Sequence, residues 1–193
     1  MSEALIHALV FDPTGAPREL SSDEIRAWQP EQGLLWAHMN ATQEQTQTWL
    51  QDTAGLPDVV VSALLAEETR PRSNTIGSGL LLVLRGVNLN PGANPEDMVS
   101  IRLWVEQHRV FSTCRRRLLS VGDVVTSHGH NPMVSTSDLL VRLTDRLTER
   151  VTDVIEDMDE VVAELEAAVL DDPNPSMRAG LADLRRDAIS LRR

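Results

Sequence analysis

The sequence has no lysine and no tyrosine, one cysteine, and aromatic residues at only 3% of its 193 positions. All 18 basic residues are therefore arginines, a bias whose plain reading is a GC-rich coding sequence. With Cys114 alone, no disulfide can close within the chain, and a reducing compartment is expected. No aliphatic run is longer than Leu80–Leu84, far short of the roughly 18 residues that a membrane-crossing helix needs. The opening "MSEALIHALVFDPTG" has no charged leader, long apolar core or cleavage site, so it does not read as a signal peptide. Positive charge is scarce too. The 29 acids against 18 arginines leave a formal charge of −11, which argues against nucleic-acid binding and suits the attraction of cations.

Catalytic signatures are missing as well. There is no Walker loop, no Gly-x-Ser-x-Gly elbow, no Cys-x-x-Cys and no His-Glu-x-x-His. The "GSG" at Gly77–Gly79 lacks the later glycine of a dinucleotide fingerprint and precedes a strand rather than a helix. Cys114 beside Arg115, Arg116 and Arg117 has neighbours that lower a thiol pKa, but a strand-end cysteine reads first as a buried one. The arginine triplet itself reads as a solvated cluster or an ion-pair partner, with an anion site as the sharper alternative. His128 and His130 in "SHGHNP" are the closely spaced histidines, and imidazole suits Zn²⁺. They share a side only on extended backbone, and a polar loop with two solvated histidines is the plainer reading. Asn40-Ala-Thr42 matches a glycosylation sequon without the secretory context that would give it meaning.

What is present is a periodic α/β pattern with 41% hydrophobic residues, enough for a real core. Strands are expected at Ala4–Phe11 and Gly33–Asn40. "SSDEIRAW" reads as a short capped helix. Thr42 and Gln45 stand at capping-box spacing for a helix that stops at Gly55. Pro57 suits the first turn of the next helix. Pro71 disfavours a helical Arg70 and ends that helix, and Arg70 and Arg72 are expected to pair with Glu67 or Glu68. "RSNTIGSG" then links into "GLLLVLRGVNL", apolar enough to read as a central strand buried on both faces. A hairpin over residues 98–114 turns near Gln107-His108, and a short helix follows the arginine triplet.

From Ser135 the character changes. Leu140, Leu147, Val151, Val154, Met158, Val161, Leu165 and Ala168 follow a heptad-like stripe, widened by Val141, Ile155, Val162 and Val169. A helix over about 137–171 is roughly 50 Å long, too long to be enclosed in a small domain, so it must project or pack in an assembly. "STSD" caps its start and "DDPNP" ends it. A second helix, "SMRAGLADLRRDAISLRR", has Leu181, Leu184, Ala188 and Leu191 as its apolar stripe. It has no closing turn, and the chain is expected to be cut from a longer protein. Asp153–Asp172 holds nine acids and no arginine, whereas Ser176–Arg193 holds five arginines against two aspartates. An antiparallel hairpin with complementary faces is expected. Asp153, Glu156, Asp157, Asp159, Glu160 and Glu164 form its cation-attracting face.

"ALLAEETRPRSNTIGSGLLLVLRGVN", then "MVSIRLWVEQHRVFSTCRRRLLSVGDVV", and finally "LADLRRDAISLRR" together resemble the cytoplasmic domain of the CorA-type divalent-cation transporters, most of all the ZntB zinc transporters. The match in order and spacing runs from about Trp36 to Arg193. The resemblance implies an αβα sandwich with a mixed central sheet over 1–134, followed over 135–193 by a long acidic helix hairpin and the start of a basic stalk helix. It implies a homopentameric funnel on the cytoplasmic face of the inner membrane, itself soluble, that guides cations and gates a pore formed by later membrane helices. The implied cargo is Zn²⁺ with proton coupling, with Mg²⁺ or Co²⁺ as the neighbouring possibility. It implies no enzyme, no resident cofactor and no nucleic acid. The pore motif of the family is absent, so no pore residue carries over. Two readings outside transport are a regulatory or scaffold domain assembled through its helices, and an α/β hydrolase or transferase, for which no convergent titratable cluster is visible.

Overall fold

A computed structural model gives the fold and describes residues 4–12, 17–67, 70–127, 132–171 and 175–191. The strands are β1 (Leu5–Phe11), β2 (Arg18–Glu19), β3 (Leu34–Asn40), β4 (Arg72–Ile76), β5 (Gly79–Gly86), β6 (Val99–Val105) and β7 (Arg109–Cys114). The α-helices are α1 (Ser22–Arg26), α2 (Glu44–Asp52), α3 (Asp58–Leu65), α4 (Leu119–Thr126), α5 (Thr136–Asp171) and α6 (Pro175–Leu191). The strands form one sheet in the order β2-β1-β3-β7-β6-β5-β4. It is mixed: β3 and β7 run parallel, and the other neighbours pair antiparallel.

The period-2 alternation of the strands feeds two cores. Leu35, Ala37, Met39 and Phe111 face α1–α3, meeting Ile25, Leu50, Val60 and Leu64. Leu34, Trp36, Ile101, Leu103 and Val110 face the other way, onto Val121 and Val124 of α4 and Leu139, Leu143 and Leu147 of α5. Two helical layers therefore cover one sheet, the αβα sandwich expected from the sequence. β3 and β7 sit mid-sheet and are buried on both faces, as a parallel pair usually is.

Several local expectations change. The strand expected to be central, β5, lies next to the sheet edge, with Leu81 and Val83 buried but Leu80, Leu82 and Leu84 only half-buried. Its apolar run reflects partial cover on one face, from residues of the second core. "RSNTI" is the edge strand β4, joined to β5 through a turn with Gly77 at φ 59°. All but one of its residues are exposed, so it carries no hydrophobic signal. Thr42 does not cap α2. Its N–H and hydroxyl both donate to Asn40 Oδ1 (2.9 and 2.8 Å), and Gln43 precedes the helix without a side-chain cap. The turn that ends β3 captures Thr42 first. Ser21 and Glu24 do form the expected reciprocal cap of α1.

Candidate functional site

The cation-attracting face proposed from sequence lies on α5. The helix starts at a reciprocal cap: Ser135 N–H and Oγ donate to Asp138 Oδ2 (2.9 and 2.8 Å), and Asp138 N–H donates to Ser135 Oγ. These bonds hold the Asp138 carboxyl below its usual range. Leu139, Leu143 and Leu147, four residues apart, then bury against the sheet and α4, and Val154 is the last buried residue of this face. The expected stripe began on Leu140 and Val141 instead. Val141 is 61% exposed, because the docked face is the i, i+4 row from Leu139, which lies about 100° around the helix from Leu140 and about 200° from Val141. Arg150 fixes the helix laterally, donating from Nε and Nη2 to the two carboxylate oxygens of Asp123 on α4 (2.6 and 2.8 Å). That pairing raises the Arg150 pKa further.

Beyond Val154, α5 leaves the core. α6 folds back along it, with Gly180 beside Leu165 and Leu181–Leu191 beside Val151–Val162, so the pair is antiparallel. Val151, Ile155, Met158, Val162, Leu181, Leu184, Ala188 and Leu191 line an apolar groove of about 510 Å³ between them. Complementary charge was expected to hold this hairpin. The groove is mostly apolar, with Asp159 of α5 and Arg185 of α6 also in its lining; among the described residues no ion pair joins the two helices, and Arg186–Asp183 lies within α6.

Asp153, Glu156, Asp157, Asp159, Glu160 and Glu164 are all exposed, and none forms an ion pair among the described residues. They spread over about 17 Å of helix. Carboxylates spread in this way act on their surroundings through a summed field. No group of three or more His, Cys, Asp or Glu among the described residues converges as a metal site. His128 and His130 lie outside the described residues, as does Glu68. Glu67 pairs with Arg115 (3.1 Å) rather than with Arg70 or Arg72.

Two polar features were not singled out from the sequence. His38 is buried on β3, its Nδ1 2.9 Å from Ser112 Oγ, which also accepts the Trp36 indole N–H (2.8 Å). Burial, with His7 alongside, pushes its pKa down to about 3. Arg102 is 2% exposed in the middle of β6, between the apolar residues Ile101 and Leu103. Cys114 at the end of β7 is buried, and burial pushes its thiol up to about 12, so the plain reading of this residue holds and the arginines beside it do not activate it.

The family model for the CorA-like Mg²⁺ transporter protein matches residues 31–193. The chain belongs to the CorA-like transporter family. Within it, the chain is 37% identical to the divalent cation transporter CmaX of Pseudomonas aeruginosa, over 98% of this chain and 58% of that protein. It is 31% identical to the zinc transport protein ZntB of Pectobacterium atrosepticum, over 97% of this chain and 57% of that one. The chain thus spans under two thirds of the length of these relatives. The structure of full-length CmaX superposes with a TM-score of 0.91 at 34% identity, covering 100% of this chain and 60% of CmaX. The ZntB cytoplasmic domain from Vibrio parahaemolyticus shares the fold, with a TM-score of 0.82 at 24% identity, covering 98% of this chain and 74% of that one. Among the described residues no helix is long and apolar enough to cross a membrane.

Proposed function

We propose that the chain is the cytoplasmic funnel domain of a divalent-cation transporter, with Zn²⁺ as the first candidate cargo and proton coupling as the drive. The observation that carries this reading is the agreement of the whole chain with full-length CmaX in both sequence and fold. Zinc is favoured by the ZntB relatives at 31–34% identity. In this reading residues 1–134 form the sandwich domain. Residues 135–193 form the helical arm that leads to membrane helices further along the gene. Five copies assemble as a funnel at the inner membrane, and their rearrangement gates the pore. Nothing in this role requires catalysis.

The arm contributes through Asp153, Glu156, Asp157, Asp159, Glu160 and Glu164. Exposed, and without an ion pair among the described residues, they draw hydrated cations toward the funnel without holding them. His128 and His130, in the segment before α5, are the zinc-ligand candidates. A carboxylate face alone prefers hard ions, since Zn²⁺ usually recruits His or Cys. That chemistry, with the matched family model, favours Mg²⁺ or Co²⁺ as the second reading. The test is ion uptake by the full-length protein in vesicles, Zn²⁺ against Mg²⁺, with and without a pH gradient. The proposal expects Zn²⁺ uptake that accelerates with the gradient. Uptake of Mg²⁺ but not Zn²⁺ overturns the zinc assignment, and flux of neither ion overturns transport.

A further inference from the structure

A polar cavity of about 460 Å³ opens beside the ends of β5, β6 and β7, with no residue of α5 in its lining. Arg85, Arg102, Arg115 and Arg116 line it, together with Glu67, Glu96 and Asp97. Arg102 makes the site unusual. Its side chain is almost fully buried, yet its partners are two backbone carbonyls, those of Ser100 (3.4 Å) and Glu67 (3.1 Å), and Nε has none. A buried guanidinium is normally matched by a carboxylate, because an uncompensated buried charge is strongly destabilising. Among the described residues no carboxylate reaches it. The Glu67 carboxylate turns instead to Arg115. Cys114 is close, but burial keeps its thiol protonated at neutral pH, so it supplies no negative charge. Arg72 and Arg115 add like charge nearby.

We infer that this cavity binds a phosphate-class oxyanion, with Arg102 as the buried counter-charge and Arg116 as the exposed clamp at the rim. Planar guanidinium groups suit the paired oxygens of such a ligand. Glu96 and Asp97 stand at the same rim and oppose it, so their neutralisation tightens binding. The site lies apart from the cation path proposed above and holds whichever ion is carried.

The test is calorimetric titration of the 193-residue chain with sodium phosphate and, separately, with ATP, against sodium chloride at matched ionic strength. Saturable phosphate binding is expected, about tenfold or more weaker in R102M and R116Q and tighter in E96Q/D97N, since a charge-assisted bond carries that much affinity. ATP binding more tightly than phosphate assigns a nucleotide, whereas equal binding assigns the phosphate group alone. If R102M does not fold, R116Q and E96Q/D97N still read the site in opposite directions. Absence of saturable binding, an equal effect of chloride, or wild-type affinity in R116Q overturns the inference.

Discussion

Burial holds the His38 imidazole neutral down to about pH 3, and this gives the fold a pH dependence at the scale of one residue. Between the ordinary histidine pKa of about 6.5 and this value, the unfolded chain binds a proton that the native state refuses. Stability contributed by neutral His38 is therefore complete above about pH 6.5 and is lost as pH falls toward 3, at a slope approaching about 1.4 kcal/mol per pH unit. Urea unfolding from pH 7.5 to 4.5 is expected to show that slope in the wild type and a shallower one in H38Q. Superimposable pH profiles would count against a buried neutral His38. Nothing in "GLLWAHMN" marks His38 as special, since one histidine in an apolar strand gives no sign of its partner. Ser112 lies 74 residues away and becomes a neighbour only through the parallel pairing of β3 with β7. Arg102 was hidden for a related reason. Its alternation with Ile101 and Leu103 is the pattern of a half-exposed strand, and only the cover over both faces of β6 buries it.

At the scale of the element, α5 is two helices in one. Its first turns are a core element, locked by Leu139, Leu143 and Leu147, and its later turns are an arm whose apolar partner is α6. L143A opens a cavity in the second core and is expected to cost about 2–5 kcal/mol in chemical unfolding. V161A, at a position 44% exposed, should stay within about 0.5 kcal/mol. Equal effects at the two sites would mean that the arm is packed as tightly as the docked half. The length of α5 was legible in the sequence because its apolar period and its Ser135/Asp138 cap are both local signals. Which face docks was less so: Leu139 and Leu140 are equally apolar, and only the position of α4, fixed by Val121, Val124 and the Asp123–Arg150 pair, chooses between them. β4 was lost to sequence reading because an exposed edge strand has no buried face to pattern.

At the scale of the whole molecule, one sheet between two helical layers makes a platform, and the later turns of α5 with α6 make an arm whose α5 face is acidic. The platform has the mixed seven-stranded sheet of its family, and the sequence signals for most of its strands were strong because β3, β6 and β7 are buried on both faces. The arm's chemistry was legible as composition, since nine acids without an arginine need no fold to be seen. In the function proposed above, its role rests on the summed field of these exposed carboxylates, which acts on the encounter with cations rather than on their passage. The measurement that tests this most directly is the initial rate of divalent-cation uptake by the full-length protein in vesicles, as a function of ion concentration. It compares wild type with a variant in which Asp153, Glu156, Asp157, Asp159, Glu160 and Glu164 are replaced by their amides. The account predicts that the variant needs several-fold more cation for half-maximal rate, that its maximal rate is unchanged, and that the difference shrinks as salt screens the field. Identical concentration dependence in the two proteins at low ionic strength would contradict it.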